Sequence, residues 1–109
     1  MKSPHPPTHP PLGLSEAEWE FVRARLIEPL NQAGCTVWAF GSRARGDNQR
    51  FSDLDILVEH PSLELSALLG ELRELLVNSS FPYKLDLVDK KHFARDYLQN
   101  FENEKTKLT

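Results

Sequence analysis

The chain has 109 residues and a formal charge of −3, enough for one domain with a single core and little room for a second, substrate-binding domain. A net negative charge gives no general attraction for nucleic acid, which argues against non-specific DNA or RNA binding. The lone cysteine, Cys35, excludes an intrachain disulfide, and no apolar run approaches a membrane span. A cytoplasmic protein with no membrane role is therefore expected.

Residues 1–11 hold five of the eight prolines and little that is apolar. Residues 1–13 are read as a disordered Pro-rich tail, with His5 and His9 as poor candidates for metal ligands because nothing fixes them. The folded domain is expected over 14–102. It opens with Ser15 as N-cap and Glu18 three residues on, a capping box, with Leu14 and Trp19 placed as a hydrophobic staple. Trp19, Val22, Leu26 and Leu30 then recur at helical spacing, with Ile27 beside them. Pro29 is expected to kink or end this helix.

Cys35 to Phe40 reads as a short strand buried on both faces, with Trp38 as packing more readily than as a base-stacking ring. Gly41-Ser42 then makes a turn, and Arg43, Arg45 and Arg50 populate the loop that follows. Gly41 lacks a Cβ and so tolerates positive φ and close approach of a phosphate, while Ser42 adds a hydroxyl and an N–H. Arg43 and Arg45 are near enough to the turn to pair with phosphate oxygens.

The second strand carries Asp53 and Asp55 two positions apart, hence on one face and roughly 7 Å from each other at about 3.3 Å of rise per residue. Two carboxylates on a strand that is otherwise apolar repel one another and resist desolvation, which makes a divalent cation the natural partner. Gly-Ser, ten residues, then Asp-x-Asp thus places a phosphate cradle opposite a metal clamp.

A helix is expected from Pro61 or Ser62, its face lined by Leu65, Leu68, Leu69, Leu72, Leu75 and Leu76. A third strand over Tyr83 to Val88 is interrupted by Asp86, which either pairs with Lys84 at the surface or completes the carboxylate site. Asp89 is placed as the cap of a last helix with Phe93, Tyr97, Leu98 and Phe101 in its apolar stripe. Residues 103–109 are read as a frayed tail. The fold expected is α/β, a small mixed sheet with the acids on one face and helices packed on the other.

The stretch Ala39-Phe40-Gly41-Ser42-Arg43-Ala44-Arg45-Gly46 through Ser52-Asp53-Leu54-Asp55, with Asp86 on a later strand, resembles the minimal nucleotidyltransferases of the DNA polymerase β superfamily. The resemblance implies that Gly41 and Ser42 hold phosphate, that Asp53, Asp55 and Asp86 bind Mg²⁺ in a two-metal site, and that Asp86 also serves as general base. The implied reaction moves a nucleoside monophosphate from ATP or another nucleoside triphosphate to a hydroxyl acceptor. Short members of the family lack the helical half of larger relatives. The resemblance thus implies a separate helical partner of the HEPN type in a hetero-oligomer, an exposed apolar patch to meet it, and in some pairs a toxin and its antitoxin. Two alternatives remain open: a non-catalytic module that neutralises its partner by binding, and a small-molecule nucleotidyltransferase like those acting on aminoglycosides.

Overall fold

The computed structural model describes residues 11–93 and 101–109. The reading of residues 1–10 as a tail, and the Tyr97 and Leu98 portion of the last helical stripe, lie outside the described residues. Helix α1 (Glu16–Val22) starts at the expected capping box: the Ser15 hydroxyl accepts the Glu18 N–H at 3.1 Å, and the Glu18 carboxylate accepts the Ser15 N–H at 2.8 Å. A π-helical segment, Arg23–Ile27, carries it into α2 (Glu28–Gln32). Pro29, expected to kink or end the helix, is accommodated instead. The Glu28 N–H reaches back five residues to the Arg23 carbonyl, and this wider turn absorbs the bond and the room that a proline removes from a normal α-turn.

The strands β1 (Thr36–Phe40), β2 (Leu54–Glu59), β3 (Leu85–Asp89) and β4 (Thr106–Lys107) form one mixed sheet in the order β3-β2-β1-β4. β1 is antiparallel to β2 and β4, whereas β2 and β3 run parallel, with α4 (Ser66–Val77) as the crossover between them. Register decides the two faces. Val37 and Ala39 lie opposite Val58 and Ile56, and Ile56 lies beside Leu87. These residues are buried in one cluster with Val22, Leu26 and Leu30 from the first helices and Leu69 and Leu72 from α4. The helices therefore cover one face, and stabilisation of the order of 1.5–3 kcal/mol for each large apolar side chain so buried is concentrated there.

The other face carries Trp38, Phe40, Asp55 and Asp86. β1 is accordingly not buried on both faces: Val37 and Ala39 are in the core, while Thr36, Trp38 and Phe40 are half-buried. Trp38 does pack, but outside the core, edge-on to Phe101 at 5.8 Å with the Lys90 and Lys105 ammonium groups over its ring. Phe40 meets Phe93 and Phe101 in the same manner.

Four further expectations are corrected. The crossover helix begins at Ser66 rather than Pro61 or Ser62, because the His60 ring nitrogen accepts the N–H groups of Ser62 and Leu63 and holds that segment in a turn. Leu75 is 42% exposed, since Leu65, Leu69, Leu72 and Leu76 already fill the narrower stripe that faces the sheet. The N-terminal boundary moves outward: Pro11–Gly13 form a 3₁₀ turn with Leu12 buried. Residues 103–109 do not fray, because Thr106 and Lys107 pair with Ala39 and Trp38 and the Leu108 N–H donates to the Val37 carbonyl at 2.8 Å. A strand this short is stable only through the sheet it joins, which is why its own sequence gives little sign of it.

Candidate active site

The site is built where three strands come into register. Phe40 at the end of β1 lies opposite Asp55 on β2, and Asp55 lies beside Asp86 on β3. Adjacent strands are about 4.8 Å apart, so the two carboxylates leave the sheet side by side. Asp53 stands exposed one residue before β2. The three acids are felt at the middle one: Asp55 is pushed up from 3.8 to about 6, first by burial, then by the Asp86 and Asp53 carboxylates, with Arg45 opposing. Asp89, the other acid of β3, is turned to the helix-covered side and caps the 3₁₀ turn Lys90–His92, accepting the Lys91 N–H at 3.0 Å.

Directly after Phe40 the chain turns through Gly41 into the short helix α3 (Gly41–Arg45). Gly41 is required twice over. Its φ of +76° suits glycine, and a Cβ at this position would lie 2.3 Å from Oδ2 of Asp55. The turn and the central carboxylate are thus pressed together, and Ser42 follows as the second residue of α3.

The loop arginines divide. Arg43 does not reach toward a phosphate. It is 2% exposed and turned into the protein, where Nε donates to the Ser52 carbonyl at 2.9 Å, Nη1 to the Leu12 and Gly13 carbonyls at 2.9 and 3.3 Å, and Nη2 to the Arg50 carbonyl at 3.3 Å. Its guanidinium also lies over the Tyr83 ring, 4.1 Å from the centroid. A buried guanidinium needs its N–H groups bonded, and here they tie the N-terminal turn and the loop before β2 to α3. Arg45 is exposed: Nε pairs with Asp47 at 3.1 Å and Nη1 with Glu104 at 3.0 Å; Arg50 is exposed as well, its guanidinium over the Phe51 ring.

Glu104 was missed by sequence reasoning. Its Oε2 accepts both the Arg45 guanidinium and, at 3.3 Å, the Gly41 N–H. Nothing local could have revealed it, because only the pairing of β4 with β1 brings residue 104 to residue 41.

Among the described residues no three His, Cys, Asp or Glu side chains converge as a preformed metal cage. The donor set nonetheless suits Mg²⁺: oxygen ligands only, Asp55 and Asp86 on adjacent strands and Asp53 just before β2, with a mutual repulsion that a cation relieves. Mg²⁺ commonly binds through one or two carboxylates and fills its remaining positions with water and phosphate oxygens.

A family model described as nucleotidyltransferase domain matches residues 23–109, which span α2, the Gly-Ser turn, all three carboxylates and β4. The chain belongs to the nucleotidyltransferase domain family. It is 36% identical over 63 residues to a probable protein adenylyltransferase, MntA, of Haemophilus influenzae, a match covering 57% of this chain and 54% of that one, so the chain spans about half the length of this curated relative. Among solved structures it is similar to a toxin-antitoxin with AMP-PNP, at TM-score 0.64 and 24% identity over 80% of this chain and 72% of that chain. A mutant of the MntA-HpeT toxin-antitoxin aligns at TM-score 0.58 and 24% identity, over 76% and 68% of the two chains. These likenesses establish the α/β nucleotidyltransferase fold. Among the described residues no helix is long and apolar enough to cross a membrane.

Proposed function

We propose that this chain is a Mg²⁺-dependent nucleotidyltransferase of the cytoplasm that moves AMP from ATP to a hydroxyl on, or presented by, a helical HEPN-type partner, as the antitoxin of a toxin-antitoxin pair. The observation that carries the reading is the register of Asp55 with Asp86 on the open face of the sheet, immediately beside the positive-φ Gly41. The partner and the acceptor rest on similarity to the adenylyltransferase and to the toxin-antitoxin structures. Among the described residues the large apolar side chains of Phe51, Leu63, Leu75 and Val77 are exposed and are available to such a partner.

In this reading Asp53, Asp55 and Asp86 hold the metal, which when bound supplies neutralisation of charge on the triphosphate. The Gly41 N–H and the Ser42 N–H and hydroxyl donate to phosphate oxygens, and Arg45 pairs with the outer phosphates. The Asp86 carboxylate, on the exposed edge strand, accepts the proton of the attacking hydroxyl. The oxygen of that hydroxyl then bonds to the α-phosphorus while pyrophosphate leaves. Arg43 holds α3, and with it the Gly-Ser turn, against β2.

The test is incubation of the chain, alone and with a helical partner encoded beside it, with labelled ATP and Mg²⁺, followed by intact mass of both proteins. Gain of one AMP on the partner, lost in the Asp53→Asn/Asp55→Asn double variant, supports the proposal. A stable, neutralising complex without transfer of any nucleotide sinks it in favour of a binding module, and transfer to an aminoglycoside by the chain alone points to the small-molecule class.

A further inference from the structure

The Gly41 amide and the Arg45 guanidinium already have a common partner within the chain. Both are engaged by one carboxylate oxygen, Oε2 of Glu104, at 3.3 and 3.0 Å. This carboxylate is mostly shielded, its side chain 23% exposed, and it is held from both sides along the chain. Before it, Phe101 is buried among Trp38, Phe40 and Phe93. After it, Thr106 and Lys107 are paired into the sheet. The carboxylate therefore sits in place while the segment that bears it stays anchored, and the side chain can rotate away without unfolding anything.

We infer that Glu104 is a resident anion of the phosphate cradle, so that a triphosphate binds by exchange. A phosphate oxygen takes over the Gly41 N–H and Arg45, and the Glu104 carboxylate is expelled. The inference rests on the reading of this cradle as the triphosphate site, and it assigns to Glu104 the setting of nucleotide affinity. The charge balance argues for exchange over simple coexistence. Glu104 adds a fourth negative group to a face already bearing Asp53, Asp55 and Asp86, and Arg45 is the cation that opposes them at Asp55. A triphosphate arriving beside Glu104 would compete with its carboxylate for the same Gly41 N–H and Arg45 guanidinium. The existing contact is easily surrendered, since a partly exposed ion pair is worth little.

The experiment is calorimetric titration of the full chain with inorganic tripolyphosphate and with ATP, each with Mg²⁺, comparing wild type, Glu104→Gln and Glu102→Gln. Glutamine preserves the shape and an acceptor for the Gly41 N–H but removes the charge. Glu102, exposed and paired with Lys105 at 2.8 Å, controls for net charge. Glu104→Gln should tighten both ligands about threefold, the scale of the partly exposed ion pair that a phosphate no longer has to displace, and Glu102→Gln should change them less than about 1.5-fold at the same ionic strength. In wild type, tripolyphosphate should also shift the Gly41 amide resonance, a readout independent of any variant. Equal affinities in wild type and Glu104→Gln, or no binding of tripolyphosphate by either, overturns the inference. Tightened tripolyphosphate binding with no nucleotide transfer leaves the exchange standing and fells the transfer reading. Transfer with affinities indifferent to Glu104 does the reverse.

Discussion

Replacing Asp55 by Asn should stabilise the metal-free protein while destroying its proposed activity. Asp55 is held near pH 6 in the fold against 3.8 unperturbed, by burial and by the Asp86 and Asp53 carboxylates. The folded state therefore keeps a proton that the unfolded chain releases, and stability that is full below about pH 4 is lost as pH rises toward 6. Each pH unit between the two values is worth about 1.4 kcal/mol, or about 3 kcal/mol in all if the group were sealed from water. The side chain is only half-buried, so solvent screening reduces this to about 1 kcal/mol. For a domain of this size that is roughly 4 °C in Tm. Thermal unfolding of wild type and Asp55→Asn, without metal and from pH 4 to 8, should show matching Tm values at the acid end, a gap opening between pH 4 and 6, and a plateau above. Mg²⁺ should narrow the gap by stabilising wild type. An Asn variant equal to or less stable than wild type at pH 7.5, or a gap that does not vary with pH, would refute the claim that the acids repel one another in the fold.

The remaining predictions concern the turn, the buried arginine and the edge strand. Gly41→Ala forces a Cβ to within 2.3 Å of Asp55 Oδ2 at φ +76°. It should cost about 1–2 kcal/mol in urea unfolding from the left-handed backbone alone, and displacement of Asp55 should cut transfer about 100-fold. Arg43→Lys cannot reproduce the fork that serves Leu12, Gly13, Arg50 and Ser52. A loss of about 2–4 kcal/mol is expected, and native-state hydrogen exchange should rise first in the loop before β2. Asp86→Asn should lower kcat by about 10²–10⁴-fold with little change in KM for ATP. A proportional rise in KM at unchanged kcat would reassign Asp86 from proton acceptor to nucleotide binding.

Most of the site's backbone was legible because it is local. Strand, Gly-Ser turn, loop and Asp-x-Asp follow one another within about twenty residues, although Asp53 falls one residue before β2 rather than on it. The capping box at Ser15 and Glu18 and the leucine stripe of α4 are equally local and appear in the structure, although α4 starts later and Leu75 faces solvent. Pro29 was misjudged because helix-breaking rules assume α-turns, and the five-residue reach of a π-segment lifts the restriction.

What the amino-acid sequence determined by itself was thus the chemistry offered: a glycine free to take positive φ, a hydroxyl beside it, and acids on a strand that is otherwise apolar. What the tertiary structure alone decided was which charges meet. Asp86 becomes a neighbour of Asp55 only through the parallel register of β3 on β2. Arg43 becomes a buried brace, rather than a phosphate contact, because packing α3 against the N-terminal turn encloses it among carbonyls. Glu104 reaches Gly41 only because β4 closes on β1. Each of these depends on pairing between segments far apart in the chain, where the gain comes from desolvated contacts between elements rather than from any preference of the residues themselves.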